Sequence, residues 1–296
     1  MTDLTYSRHR RSVRRTVVDR LMRVLVILAF VIALVPLVSL VAMTIAKGLN
    51  RFDGEFFSSS MRNIVGAGGG GLHALVGTLE VTLAAAIISI PIGIMTAIYL
   101  VEYGRGRLAK SITFLIDVMT GIPSIVAGLF AFALFALFFG PGIRFGLGGA
   151  IALSLLMIPV VVRSTEEMLR IVPNSLREAS YALGVPKWLT IVKVVLPTSI
   201  GGIITGVVIA IARVIGETAP LLIIAGLSTS LNYDLFHDRM TTLPVFVYTQ
   251  YTNQGADAQA YIDRAWTGAL VLMLLVIALN IIARVLAKVL SPKGAR

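Results

Sequence analysis

The sequence predicts an all-α, polytopic membrane protein with six transmembrane helices, on three observations. Hydrophobic residues fill 57% of the 296 positions and charged residues only 14%, where a soluble domain has roughly a quarter charged. Five stretches (24–46, 81–101, 118–143, 145–162 and 265–283) contain no Asp, Glu, Lys or Arg, and a sixth, 194–233, is interrupted only by Arg213 and Glu217. Such runs suit helices crossing a hydrocarbon core of about 30 Å; they are too long for the alternating segments of about ten residues that build a membrane barrel. Helices also keep every backbone polar group bonded within its own span.

The helices are expected at 20–47, 72–102, 108–139, 146–170, 199–229 and 263–290. The first is too long and continuous for a cleaved signal peptide, and no small-residue cleavage site follows it, so it reads as a retained helix. Around these spans the chain divides into a basic N-terminal segment (1–19), the first helix with an external loop (20–71), a core (72–290) containing a polar loop at 171–199, and a tail (291–296). Cations set the orientation, because Lys and Arg are retained on the cytoplasmic side. With both termini inside, 19 of the 26 Lys and Arg fall on that side and six outside, while Arg213 lies within a span. The net charge of +11 therefore reports topology rather than nucleic-acid binding, and attraction to membrane lipid is its by-product.

Two long segments face outward, 48–71 and 230–262. The first holds Gly68, Gly69, Gly70 and Gly71, whose composition reads as a flexible linker. The second carries Asp234, His237, Asp238, Tyr248, Tyr251 and Asp257, a mixture that suits either an external partner or a solvated loop with interfacial Tyr. Cysteine is absent, which excludes disulfides, thiolate metal sites and Cys nucleophiles. His9, His73 and His237 are scattered and no nucleophile–base or metal-ligand pattern appears, so no catalytic, cofactor or metal site is expected in this chain.

The charges within the spans are more informative. An Arg near the middle of a span costs ~2.5–3.5 kcal/mol to insert, so Arg213 needs compensation. Glu217 lies at i+4, on the same face of a continuous helix, and Gly216 leaves room for a neighbour. The pair is either a structural lock between helices or a place where a guanidinium fork faces the path of an anion, with Glu217 holding Arg213 until the anion arrives. Arg163, followed by Glu166 and Glu167, repeats the arrangement near the inner end of the fourth span, where snorkelling to the interface is the other explanation. Asp117 and Glu80 are expected to pair or hydrogen-bond between helices, and Pro123 to kink the third span.

The loop at 171–199 is too polar to span. Asn174 or Ser175 can cap a short helix, with Leu176, Ala179 and Leu183 on one face; Gly184 and Pro186 end it, and a second helix starts at Lys187 and runs to Leu196-Pro197. Glu178-Ala179-Ser180, Gly184, Val194 and Leu196-Pro197 together resemble the EAA-x3-G-x9-I-x-LP signature of ABC importer permeases, with Ser180 in place of Ala and Val194 in place of Ile. The segments Gly121-Ile122-Pro123-Ser124-Ile125-Val126-Ala127-Gly128 and Arg213-Val214-Ile215-Gly216-Glu217-Thr218-Ala219-Pro220, together with Arg163, are similar to the permeases of the phosphate-specific transport system.

The resemblance implies a type I importer permease of MetI-like fold in the bacterial cytoplasmic membrane, forming half of a path for inorganic phosphate. It implies that Arg163, Arg213 and Glu217 line that path and that Glu178, Ala179, Gly184, Leu196 and Pro197 couple it to an ATPase. Its partners would be a homologous permease, two copies of an ABC ATPase and an external phosphate-binding protein. The chain has no G-x-x-x-x-G-K-[ST] motif, so ATP and Mg would be bound by the partner ATPase. Another oxyanion such as sulfate or molybdate, or a gradient-driven transporter using the intramembrane charges as a relay, are the alternative functions.

Overall fold

The computed structural model describes residues 13–255 and 257–290, and within them it is helical with no strand. The basic segment's first twelve residues and the tail 291–296 lie outside the described residues. The chain divides into two units, one ending at Lys47 and one beginning at Gly48. Among the described residues the first is helix α1 (Val13–Gly48), 36 residues, long enough to cross a bilayer with turns to spare.

The second unit contains α2 (Gly54–Ser58), α3 (Leu72–Ile98, extended by a π-turn Tyr99–Tyr103), α4 (Gly106–Gly121), α5 (Ser124–Phe139) and α6 (Gly146–Ile171). After these come α7 (Asn174–Ala182), α8 (Lys187–Thr190), a π-turn Ile191–Val195, α9 (Leu196–Val214), α10 (Ala219–Ile224), α11 (Leu243–Thr252) and α12 (Ala258–Leu290). The core is the seam between α3, α6 and α9: Val81, Ala85, Ala150, Leu153, Met157, Val161, Ala210 and Val214 are all buried there. Small residues let these helices approach closely, which is how helices associate where lipid removes the hydrophobic driving force.

Contacts along the seam fix direction and depth. Gly149 faces Val81, Ser154 Oγ reaches Ala85 O and Gly93 lies on Val161, so α3 and α6 run parallel. Parallel α3 and α6 require the chain to cross once between them, and α4 with α5 supplies that crossing. It is not the single kinked helix expected at 108–139: the two halves meet at Ile122-Pro123 with a bend of 108°. Pro123 forces its predecessor out of the α region, and Ile122 indeed has ψ 127°. Across the other seam, Gly202 meets Met168, Gly206 meets Ser164 and Leu221 meets Gly149, so α9 and then α10 descend α6 in antiparallel register.

Candidate functional site

The register places Arg213 level with Met157 of α6, a helix running from Gly146 to Ile171, so Arg213 sits within a turn of that helix's midpoint. The expected span 199–229 breaks at this depth. Ile215 N–H donates to Ile211 O at 3.0 Å, closing the last turn of α9; Glu217 N–H donates to Val214 O at 3.1 Å in a tighter turn, and α10 starts at Ala219. Pro220 occupies the first turn of α10, where its missing N–H costs no helical bond. Glu217 is therefore beyond the helix end, not one turn along the same face, and among the described residues no ion pair joins it to Arg213. Arg213 is left exposed on the chain. Helix ends at mid-membrane are tolerated where they are buried in protein or line a cavity.

The two breaks touch. Gly128, in the second turn of α5, lies so near α10 that a Cβ there would be 2.5 Å from Pro220 Cα. The elbow at Ile122 sits beside Leu155 and Leu156 of α6, lining an apolar cavity of about 270 Å³ with Leu115, Met119 and Val126. Elbow and Arg213 thus share one depth, and the two motif segments that resembled phosphate permeases are brought together by the fold.

Arg163 lies six residues further toward the C-terminal end of α6, roughly 9 Å along the axis at 1.5 Å per residue. Its Nη2 pairs with Asp117 of α4, and its Nη1 donates to Glu166 Oε2 at 2.9 Å. Glu166, buried, also accepts from Arg170 at 2.6 Å. Arg163 is thus held by a four-member network across α4 and α6, and Glu167 is not its partner. Asp117 pairs between helices as expected. Glu80 does not: its Oε2 is buried without a hydrogen-bond partner among the described residues.

The loop at 171–199 is a short helix, a turn and a second helix start. The capping differs from expectation. Pro173, not Asn174 or Ser175, stands at the N-cap of α7, with no side-chain cap. Gly184 ends α7 at φ +75°, a conformation costly for residues with a Cβ, and Val185 N–H closes the turn on Ser180 O at 3.2 Å. The helix that begins at Lys187 does not stop at Leu196-Pro197: it continues to Val214, and the π-turn accommodates Pro197 because its ring needs room at the preceding turn. Glu178, Ala179 and Leu183 are exposed.

Sequence reasoning missed the anchor of this loop. Arg177 donates from Nη2 and Nε to Glu102 Oε1, at 2.8 and 3.1 Å, and to Leu169 O and Val172 O at 2.9 and 2.6 Å. Lys187 Nζ bonds Glu102 O and lies 4.8 Å from the Tyr103 ring. Ser180, the departure from the Ala of the signature, is buried with its Oγ 2.8 Å from Thr190 Oγ1, so the extra hydroxyl is satisfied.

Residues 89–295 match the family described as Binding-protein-dependent transport system inner membrane component. The chain belongs to this permease family. It is 47% identical over 275 residues to the phosphate transport system permease protein PstA of Mycobacterium leprae (strain TN), covering 91% of this chain and 88% of that one. With the PstA of Yersinia pestis it shares 39% identity over 289 residues, 96% and 94% of the two chains. Its fold is similar to a chain of the inward-facing MetNI methionine ABC transporter (TM-score 0.58, 20% identity, 73% of this chain and 94% of that chain). It is also similar to a chain of a bacterial alginate ABC transporter in complex with an alginate-bound periplasmic protein (TM-score 0.64, 11% identity, 91% and 94%). The permease is a multi-pass inner-membrane protein and a transport component of an ABC importer.

The segments expected to face outward correct one further expectation. The glycine run is a packed turn, not a flexible linker. Gly69, Gly70 and Gly71 are buried, and a Cβ on Gly70 would fall 2.4 Å from Phe56 O. Arg264, 1% exposed, ties this turn to α12 by donating to Gly66 O and Gly68 O at 2.7 and 2.8 Å, to Gln250 Oε1 at 2.9 Å, and by lying over the Tyr261 ring. The second outer segment is half helix: Leu243, Val245 and Phe246 of α11 are buried, while the tip around His237 is exposed. There the Phe236 N–H and the His237 ring hold the Asp234 carboxyl below the usual carboxylate range.

Proposed function

We propose that this chain is one permease subunit of an ATP-driven importer of inorganic phosphate, forming half of the translocation path beside a homologous permease. The observation that carries this is Arg213: a guanidinium at mid-membrane depth, at the end of a broken helix, exposed and with no ion pair among the described residues. A cation there is costly without a partner, and an oxyanion passing through is a partner whose geometry fits the guanidinium fork. Arg163, deeper on the cytoplasmic side, is the second cation of the path, and Glu217, in the unwound segment beside Arg213, tunes its surroundings.

Of the two copies of an ABC ATPase that serve the permease pair, holding ATP and Mg²⁺, one docks on the exposed face of α7 around Glu178, Ala179 and Gly184. The continuous helix through Leu196 and Pro197 carries their closure into α9 as a rigid-body movement. An external phosphate-binding protein delivers the anion to the outer face, and both termini lie in the cytoplasm. The testing experiment is phosphate uptake by the reconstituted importer with Arg213→Gln. Uptake is expected to fall at least tenfold at unchanged membrane abundance, and phosphate, rather than sulfate or molybdate, is expected to stimulate the ATPase in the wild type. Unchanged uptake would make Arg213 structural.

A further inference from the structure

Arg163 has two carboxylate partners, and they are not equivalent. Glu166 lies on the same helix at i+3, its side chain is 7% exposed, and its other oxygen is held by Arg170 at 2.6 Å. Moving it would strip a buried carboxylate of two cations at once, which is strongly unfavourable. Asp117 is on a different helix, its side chain is 60% exposed, and Arg163 is its only ion-pair partner among the described residues. It is also the only charged residue between Lys110 and the elbow at Ile122-Pro123. Among the described residues the bridge is the only ion pair between α4 and α6, five residues before the 108° bend at Ile122.

Resting on the phosphate-path reading above, we propose that Asp117 is an internal stand-in for the transported anion: it occupies the Nη2 side of Arg163 while the path is empty and yields it to phosphate as phosphate passes. The exchange replaces one charge-assisted hydrogen bond with another. Arg163 is never left bare, and phosphate is not held so tightly that it cannot leave. Freed from Arg163, Asp117 turns toward the polar path, and α4 loses its ionic tie to α6 and can pivot at Ile122-Pro123. Passage of the anion and movement of α4 are thereby linked. The sequence suggested this counter-ion role for Glu217 at Arg213; the structure transfers it to Asp117 at Arg163.

The test is equilibrium binding of radiolabelled inorganic phosphate to the assembled, nucleotide-free importer, beside uptake into proteoliposomes. Asp117→Asn removes the competitor and should tighten phosphate binding about tenfold, the size of one lost charge-assisted hydrogen bond, while slowing uptake because release slows. Arg163→Gln should abolish both. The exchange Asp117→Arg with Arg163→Asp restores an ion pair and should restore membrane abundance but not phosphate binding. If Asp117→Asn binds phosphate no tighter than wild type while Arg163→Gln loses uptake, the stand-in role is overturned and the path reading survives. If the exchanged pair transports normally, the bridge is structural and the proposal is overturned. If Arg163→Gln leaves uptake intact, the path reading itself fails at this residue.

Discussion

At the scale of single residues, four arginines of this chain meet four different environments. Among the described residues Arg213 has no ion pair, Arg163 has two carboxylates, Arg177 has one carboxylate and two helix-end carbonyls, and Arg264 is buried against carbonyls and a tyrosine ring. The sequence exposed the cost of Arg213, because a cation in an apolar run is visible from neighbours alone. It could not show Arg177's partner, since Glu102 lies 75 residues away, or that Glu217 falls outside the helix, since that depends on where α9 ends. The Glu102–Arg177 pair, with side chains 5% and 12% exposed, carries a prediction. Glu102→Gln leaves a cation poorly compensated at a buried site and should destabilise the permease by ~3 kcal/mol, with weakened coupling of ATPase to uptake. Adding Arg177→Met should recover part of that loss; thermal unfolding of the purified importer across the four variants measures the interaction.

Among the elements, the two broken helices matter most. The kink at Pro123 was legible, because proline acts locally; the break before Pro220 was not, since 199–229 reads as one apolar span. Nor was their meeting, since Gly128 and Pro220 come together only through the packing of α5 and α10 on α6. The closeness of that meeting predicts that Gly128→Leu is not tolerated. Its Cβ would stand 2.5 Å from a backbone atom, which must shift, and overpacking of this kind costs ~1–3 kcal/mol or more. Uptake should fall with stability, whereas Gly54→Ala, at a position with nothing within 4 Å, should leave both unchanged; melting temperature and uptake rate check this. The glycine run teaches the reverse lesson. Its composition read as a linker, yet Phe56 O, Glu55 and Arg264 bind its backbone, because main chain without side chains lets such groups come within hydrogen-bonding distance.

For the molecule as a whole, topology joins the sequence and the fold. The cation distribution puts the loop at 103–107 inside and the tip at 232–239 outside, and the parallel course of α3 and α6 requires the single crossing by α4 and α5 that this topology needs. The chain has no native cysteine, so one introduced cysteine is a unique label. Arg107→Cys should react with a membrane-impermeant maleimide only after the cells are opened, and Tyr233→Cys should react in intact cells; the opposite pattern would invert the topology. The sequence by itself determined the membrane class, the approximate spans and the helix–turn–helix form of the loop at 171–199, because apolar run length, helix-ending Gly and Pro, and short spacings are properties of neighbours along the chain. Only the tertiary structure decided which carboxylate holds which arginine, that two spans break at the same depth, and that the glycine turn is packed. These rest on partners that sequence neighbours do not reveal: Asp117 and Arg163 are 46 positions apart, Glu102 and Arg177 75, and Arg264 reaches the glycine turn across 196 and 198, while the shared depth of the breaks is fixed by how α9, α10 and α5 register against α6.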